Sequence, residues 1–271
     1  MIAALFEGTY PVGGKGKFVP IAPDQQPRRG EFKLGINPFL IRNGSLTALI
    51  DAGLGPFSEK DHYNLITKNL ARHNCTPEDI QHVYCSHAHL DHIGGLLSER
   101  YGTYDMTFPN AAIWISGRDW QRFVEEADRK DKHEVLRWAI FLETHADLRF
   151  TENHPPEPDE IIMETIGGHT EFHQGIFYRN GSEKAMMLGD VLGRPEAINR
   201  KFVAKFDHDG KKSQKAREHY LQKALQEEYF VLTYHGCNGA IARLKHYDEN
   251  KGYDVEHITT GVVGSNTGTS G

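Results

Sequence analysis

A dense group of potential metal ligands, placed directly after an apolar strand-like run, limits most strongly how this chain can fold. Val83-Tyr84-Cys85-Ser86 is predicted to be a buried strand, and His87, His89, Asp91 and His92 follow it within six residues. His87 and His89 are two residues apart, so in an extended segment their side chains point the same way and can chelate one metal ion. Asp91 and His92 come where the chain must turn, so they can face a second ion beside the first.

Three further candidate ligands also lie just past predicted strands. They are His169 after the strand 161–166, Asp190 after the strand 184–188 and His235 after the strand 229–233. A single histidine at a strand end is usually a loop residue, but together these positions place seven ligands at one edge of the predicted sheets. Imidazole binds zinc, iron, copper or nickel, and a carboxylate adds a harder ligand. The sequence therefore predicts a metal centre with room for two ions.

Composition narrows the class of protein and its partners. The chain has 271 residues, of which 38% are hydrophobic and 25% charged, as in a globular protein rather than a disordered or membrane protein. No run of about 18 apolar residues exists to span a bilayer, and no secretory signal is visible, so we expect a cytoplasmic location and no membrane partner. The net charge of -6 argues against a nucleic-acid partner. Three cysteines are too few for a disulfide framework.

The order of predicted elements indicates one domain over residues 1–271. Both halves are rich in strand-like runs with helices between them, and no linker of low complexity separates the halves. The first thirty residues are rich in Gly and Pro and are expected to wrap around the scaffold without forming a core element. Asn43-Gly44 between apolar runs predicts a hairpin. A helical insertion is expected at about 117–150, and the Gly/Ser/Thr-rich tail 261–271 is expected to be loose.

The whole set of motifs resembles the metallo-β-lactamase superfamily. The resemblance rests on His87-x-His89-x-Asp91-His92, Gly-His169-Thr, Gly-Asp190 and the late His235, and it covers nearly the whole chain, starting from Asp51 in Ile50-Asp51-Ala-Gly53. It implies an α/β (α+β) fold in the form of an αββα four-layer sandwich, in which two mixed sheets lie face to face with helices outside. The two β-rich halves of the chain match that layout.

The resemblance also implies a role for each ligand. His87, His89 and His169 would hold one metal ion, Asp91, His92 and His235 a second, and Asp190 would bridge the two. The implied cofactors are two divalent ions, zinc first, with iron or manganese as alternatives. Asp91 and Asp190 are the implied catalytic residues. Asp51 would orient ligands without binding metal, although a turn-capping role before Gly53 fits equally well. His173 matches a second histidine found in many relatives and is not expected to be a ligand.

The implied reaction is hydrolysis of an ester-like bond by a hydroxide shared between the two ions. Asp91 would orient that hydroxide and carry a proton to the leaving group. The layout is similar to the branch with N-acyl homoserine lactonases and methyl parathion hydrolases, so a small-molecule lactone or carboxylic ester is favoured over a thioester or phosphotriester. An iron-dependent dioxygenase and a β-lactamase stay open as alternatives. A non-enzymatic binding module is disfavoured because all seven ligands are present.

Several aromatic and thiol side chains have two interpretations. Tyr10, Tyr178 and Tyr234 could contact a substrate, but core packing is the favoured role for each. The apolar residues of the insertion could form a substrate wall or the face of a possible homodimer, but plain helix packing is favoured for most of them; they include Trp120, Phe123, Trp138, Phe141 and Leu142. Cys85 and Cys237 flank the motif histidines and are not expected to bind metal.

Overall fold

The computed structural model of the protein describes residues 1–12, 18–22, 24–59 and 61–264. The strands are β1 (Ile2–Ala4), β2 (Gly8–Val12), β3 (Phe32–Ile36), β4 (Phe39–Arg42), β5 (Thr47–Ile50), β6 (His82–Tyr84), β7 (Leu97–Arg100), β8 (Thr103–Met106), β9 (Ala112–Ile115), β10 (Asp147–Phe150), β11 (Ile161–Thr165), β12 (Gln174–Asn180), β13 (Glu183–Met187), β14 (Phe230–Leu232), β15 (Ile241–Asp248), β16 (Gly252–His257) and β17 (Val262–Val263). The α-helices are α1 (His62–Ala71), α2 (Leu90–Ile93), α3 (Gly117–Arg129), α4 (His133–His145) and α5 (Gly210–Gln226). None of these helices is long and apolar enough to cross a lipid bilayer.

The strands form two large sheets and two small ones. The first sheet has the order β10-β9-β6-β5-β4-β1-β17, with parallel pairing from β5 through β6 and β9 to β10. The second has the order β11-β12-β13-β14-β15-β16 and is antiparallel except between β13 and β14. The pairs β2–β3 and β7–β8 stand apart as antiparallel ribbons.

Alternation along the strands builds three separate hydrophobic cores. In the first sheet, Leu40, Leu49 and Val83 join a cluster with helices α1, α3 and α4. Their neighbours face the opposite way and meet side chains of the second sheet in an inner cluster that contains Ile41, Ile50, Tyr84, Ile176 and Met187. The second sheet buries its other face against α5. Because side chains alternate with period two, three cores mean four layers, and the predicted αββα sandwich is confirmed.

The predicted hairpin at Asn43-Gly44 is confirmed as the antiparallel pair β4–β5. The Asn43 side chain sets the turn, because its Oδ1 accepts hydrogen bonds from the backbone N–H groups of Ser45 at 2.9 Å and Leu46 at 2.8 Å. Such local bonds let asparagine mimic a backbone turn. The turn therefore fixes the register of the two strands that lead to Asp51.

Helix α3 begins at a carboxylate supplied by a distant loop. Glu152 accepts hydrogen bonds from Ser116 Oγ at 2.7 Å and from the Gly117 N–H at 2.8 Å. Burial alone would raise the pKa of Glu152, but these hydrogen bonds and one from Arg118 hold it at about 2. The negative charge lies at the N-terminus of the helix, where the helix dipole favours it.

The structure corrects two expectations about segment boundaries. The first thirty residues do contribute to the core, since β1 lies between β4 and β17 and Ile2 is fully buried. Within the segment 117–150 expected to be helical, Asp147–Phe150 forms strand β10, because it extends the parallel sheet beside β9. In the tail 261–271, Val262–Val263 forms β17 and residues 265–271 lie outside the described residues.

The hairpin β15–β16 was not predicted from the sequence. These strands follow His235 and form the edge of the second sheet. Charged side chains are frequent along both strands, because edge strands face solvent.

Candidate metal centre

The predicted ligands lie at one edge of the sandwich, where strands of both sheets end. Asp51 follows β5 directly, and His87 comes three residues after β6 ends. From the second sheet, Asp190 and His235 follow the parallel strands β13 and β14. Parallel strands end at the same side of a sheet, which is why residues far apart in the sequence converge here.

Close backbone packing holds the first ligand loop in place. The short helix α2 begins directly after His89 and carries Asp91 and His92. It ends at two glycines that press against the loop after β5: a Cβ on Gly95 would lie 1.8 Å from the carbonyl oxygen of Ala52. A side chain larger than hydrogen at this position would therefore push the ligand loop away from β5.

Four of the seven predicted ligands form a first group. His87 Nε2 lies 3.0 Å from His89 Nδ1, and His169 Nε2 lies 3.1 Å from the same His89 atom. Asp190 Oδ2 completes the group at 3.3 Å from His169 Nε2. Zinc bonds of about 2.0–2.1 Å in a tetrahedral site place neighbouring ligand atoms about 3.3 Å apart. The spacing of this group therefore suits one such ion.

The other three predicted ligands form a second group beside the first. Asp91 Oδ2 lies 3.6 Å from His235 Nε2 and 3.8 Å from His92 Nε2. The second carboxylate oxygen of Asp190, Oδ1, faces this group at 2.8 Å from His235 Nε2 and 3.3 Å from His92 Nε2. The structure thus brings all seven predicted residues together, with Asp190 directed to both groups.

Each of four histidines is oriented by a hydrogen bond from its Nδ1. His92 Nδ1 contacts Asp51 Oδ2 at 2.6 Å. The other partners are Ser86 Oγ for His87 at 3.0 Å, Asp207 Oδ1 for His169 at 3.0 Å and the Gly35 carbonyl for His235 at 2.9 Å. With the proton on Nδ1, each Nε2 keeps its lone pair for a metal ion.

Asp51 acts on both groups of ligands. Its carboxylate accepts the Ser86 N–H at 2.7 Å and the Ser86 hydroxyl at 2.8 Å, and it also contacts His92 directly. Ser86 in turn contacts His87. Of the two roles left open by the sequence, this geometry fits the orientation of ligands, and Asp51 reaches it from a positive φ of 55°.

The surroundings of the site shift the pKa values of its histidines in opposite directions. Burial lowers the pKa of His87 well below its usual value, and neighbouring histidines lower it further. Burial would also lower the pKa of His92, but Asp190 and Asp51 raise it well above the usual value. Burial opposes ionisation of Asp190, yet the histidines around it, above all His235, hold its pKa well below the usual range. The carboxylates of Asp51 and Asp190 thus favour a positive charge at the second group.

The donor set fits divalent metal ions. His92 Nε2, His235 Nε2 and Asp190 Oδ1 are buried and have no well-oriented hydrogen-bond partner among the described residues. Buried polar atoms are rarely left without partners, so three of them facing one point indicate a missing ligand. Nitrogen and carboxylate ligands suit zinc, iron or manganese.

Residues that the sequence treated as secondary support this centre. Tyr234 is fully buried, stacks on His92 with ring centroids 4.1 Å apart and donates a hydrogen bond from its hydroxyl to the Asp91 carbonyl at 2.6 Å. His173 is fully buried and its Nε2 contacts the Leu188 carbonyl at 2.9 Å, outside both ligand groups. Tyr10 and Tyr178 lie in the inner cluster.

Sequence reasoning missed the outer partners Ser86, Asp207 and Gly35. Asp207 lies in the stretch before α5, and its side chain is only 2% exposed. A metal-bound histidine almost always needs such a partner, so a search for acids near helix α5 could have found it. Gly35 contributes a backbone carbonyl, which no residue pattern indicates.

Asp119 connects the inserted helix α3 to the ligand loop. Its side chain is buried, and its Oδ2 accepts the backbone N–H of Ala88, between His87 and His89, at 2.8 Å. Trp120 and Trp138 pack in the core between the first sheet and the helices, whereas Phe123 reaches the pocket described next.

A pocket of about 470 Å³ opens directly on the ligands. His89, Asp91 and His169 form its floor. Its walls come from several segments, among them α3, the start of α4 and the loop before α5; the residues include Phe18, Leu90, Phe123, Val135, Phe206, Arg122, Lys132 and Glu171. Arg122 and Glu171 form an ion pair across its rim. Pockets for small ligands commonly enclose about 300–1,000 Å³.

Cys85 and Cys237 belong to neither ligand group among the described residues. Cys85 is fully buried. Burial raises the pKa of the Cys237 thiol, and nearby Lys33 acts in the opposite direction.

Residues 33–233 match the sequence profile of the metallo-β-lactamase superfamily. The chain belongs to this superfamily. Membership of this superfamily identifies it as an enzyme, and the family implies divalent metal ions. No curated protein sequence matches the chain significantly.

Several solved structures share this fold. A probable metal-dependent hydrolase from Staphylococcus aureus is 24% identical with a TM-score of 0.74, over 96% of each chain. AidC, a dizinc quorum-quenching lactonase, is 20% identical with a TM-score of 0.68, over 84% of this chain and 81% of its own. An N-acyl homoserine lactone hydrolase is 15% identical with a TM-score of 0.60, over 87% and 92%.

Proposed function

We propose that this chain is a dinuclear metal-dependent hydrolase of lactones and carboxylic esters. The observation that carries the proposal is the position of Asp190, whose two carboxylate oxygens face separate ligand groups. Divalent ions bound in the two groups would supply a water-derived nucleophile at neutral pH and polarise the carbonyl oxygen of an ester. Zinc is the favoured metal, and the lactonases among the solved structures with this fold support the substrate class.

Asp91 is the residue best placed to move a proton. Its carboxylate is 15% exposed and lines the pocket floor, while Oδ2 lies 3.6 Å from His235 Nε2. It would take the proton of the attacking water and pass it to the oxygen of the leaving alcohol. The hydrogen bond from Tyr234 to the Asp91 backbone holds the residue in position for both steps.

The pocket would bind the carbon skeleton of the substrate and exclude water. Leu90, Phe123 and Val135 offer apolar surface beside the ligands. Phe206 stands at the mouth, with its ring 6.0 Å from that of His169. The volume suits a small molecule, so we favour a single acyl or lactone substrate over a polymer.

The experiment combines metal analysis with a screen over an N-acyl homoserine lactone, a simple lactone, an aryl ester, a thioester, a phosphotriester and a β-lactam. We expect two zinc ions per chain and hydrolysis of lactones or esters that a chelator abolishes. Turnover of the phosphotriester or β-lactam alone would overturn the substrate class. Bound iron with oxygen-dependent turnover would overturn hydrolysis in favour of the dioxygenase.

A variant pair tests the bridging position. Asp190→Ala removes both facing oxygens and is expected to lower activity by at least about 100-fold together with metal content. Asp105→Ala, at an exposed position on β8, is the matched control and should leave both unchanged. Full activity in Asp190→Ala would refute the bridge.

A further inference from the structure

A second depression, of about 250 Å³, lies near the metal centre, and three of its six lining residues are cations. Its walls are formed by Lys33, Arg194, Glu196, Arg200, Cys237 and Asn238. None of these residues lines the pocket assigned to the substrate skeleton. Three cations and one carboxylate meet here, although the whole chain has a net charge of -6. The depression is therefore positively charged, although the protein as a whole is negative.

Two of the cations have no partner in the part of the chain that the structure describes. Among the described residues, neither the Arg194 nor the Arg200 guanidinium makes a hydrogen bond, an ion pair or a ring contact, and Arg194 is half-buried. Arg217, by contrast, is satisfied by the Val191 carbonyl at 2.9 Å. Arg200 is exposed, and a guanidinium in either position can bind an anion from solution. Its fork of donors matches the two oxygens of a carboxylate or phosphate.

The depression adjoins the ligand residues through short backbone links. Gly193, directly before Arg194, accepts the His235 N–H at 2.6 Å. A Cβ on Gly193 would lie 3.0 Å from His235 Cδ2 and 3.4 Å from Asp190 Oδ1. Cys237, which also lines the depression, is two residues beyond His235. An anion held here would therefore lie beside the centre, on the His235 side.

We propose that this depression binds the carboxylate or phosphate group of a small molecule, with Arg194 and Arg200 as its ligands and Lys33 adding positive charge. The anion has two possible sources with the same chemistry. It is either a second charged group on the substrate, which rests on the proposed hydrolase function, or a free anion such as phosphate. In the first case the enzyme prefers esters that carry an anionic group remote from the bond being cut.

Cys237 provides a reporter of this site that does not depend on activity. It is half-buried at the wall of the depression, whereas Cys75 and Cys85 are buried. The zinc-loaded protein is alkylated with anionic iodoacetate or neutral iodoacetamide, and the Cys237 peptide is quantified by mass spectrometry. Both reagents attack the thiolate, so the ratio of the two rates reports the local potential and not the thiol pKa.

We expect the iodoacetate-to-iodoacetamide ratio at Cys237 to fall about threefold to tenfold in the Arg194→Gln, Arg200→Gln double variant. In the wild type, inorganic phosphate should slow the alkylation of Cys237 by iodoacetate and leave its alkylation by iodoacetamide unchanged. Arg137→Gln, at an exposed position on α4, is the matched control and should keep the wild-type ratio. An equal ratio in wild type and double variant overturns the proposal.

Two chromogenic esters separate the two sources. A p-nitrophenyl ester with a free distal carboxylate is compared with a neutral one of equal length. If the anion belongs to the substrate, the double variant raises KM about tenfold for the charged ester and leaves the neutral one unchanged. If the site binds a free anion, the double variant changes the KM of neither ester relative to the other, while the iodoacetate-to-iodoacetamide ratio at Cys237 still falls. Absence of any hydrolysis overturns the proposed function, and the alkylation result still decides the anion site.

Discussion

Asp207 offers a direct test of how the outer hydrogen bonds tune the centre. Its Oδ1 lies 3.0 Å from His169 Nδ1, and its side chain is 2% exposed. Asp207→Asn keeps the shape and an acceptor oxygen but loses the charge, whereas Asp207→Ala leaves the His169 N–H without that acceptor. In the alanine variant the imidazole can shift its proton to Nε2, the atom that faces the ligand group.

The size of the effect follows from this geometry. Loss of an outer partner of a metal-bound histidine costs about 10- to 100-fold in metal affinity. We expect about tenfold for Asp207→Asn and about 100-fold for Asp207→Ala, which correspond to about 1.4 and 2.7 kcal/mol of binding free energy. Asp207→Asn removes the charge, and Asp207→Ala removes the hydrogen-bond acceptor as well. The alanine variant should therefore bind zinc more weakly than the asparagine variant.

The assay is zinc binding at neutral pH in competition with a chromogenic chelator. His208→Gln is the control: His208 is adjacent in sequence and half-exposed, and among the described residues it forms an ion pair with Glu171 alone, at 3.9 Å. Circular dichroism of the metal-free proteins checks that all variants are folded. If Asp207→Ala binds both zinc ions as tightly as wild type, within about twofold, then Asp207 does not orient His169 and the reasoning fails.

Three further predictions concern stability. In urea titrations, Gly95→Ala should lower the free energy of unfolding by about 3–5 kcal/mol, because the new Cβ would meet the Ala52 carbonyl. The control Gly44→Ala places its Cβ in open space and should change the free energy of unfolding by less than about 1 kcal/mol. Glu152 has a pKa of about 2 in the fold, below its unfolded value, so its stabilisation is present above that unfolded value and is lost as pH falls toward 2. Glu152→Gln should therefore destabilise the metal-free protein by roughly 1–2 kcal/mol at pH 7 and by much less at about pH 3, and an equal loss at both values would contradict this. Removing metal with a chelator should lower Tm by several degrees in calorimetry, because ions that bind only the folded state stabilise it, and added zinc should restore it.

The resemblance to the metallo-β-lactamase superfamily implied the sandwich and the division of the ligands into two groups, whereas local patterns predicted the strands and the ligand positions. Short apolar runs predicted strands in both sheets, and the ligands lie within a few residues of strand ends. The strand β1 was missed because Gly and Pro around it outweigh three residues of strand, and its burial comes from β4 and β17, which lie far along the chain. Residues Asp147–Phe150 were assigned to a helix because strand β10 is defined only by its neighbour β9.

The outer partners of the histidines lay beyond sequence reasoning for the same reason. Gly35 is 200 residues from His235, and Asp207 is 38 residues from His169. No periodicity links such positions, so only the folded chain brings them together. The arginines of the cationic depression likewise follow from tertiary packing and have no motif.

The division of ligands between the two sheets has a consequence for how the protein assembles. His87, His89, Asp91 and His92 follow a strand of the first sheet, whereas His169, Asp190 and His235 follow strands of the second. Neither half of the chain can complete a site alone, so tight metal capture must come late in folding, after the halves have docked. Bound ions would then act as cross-links between the two halves, and their release would be the first step by which the halves separate.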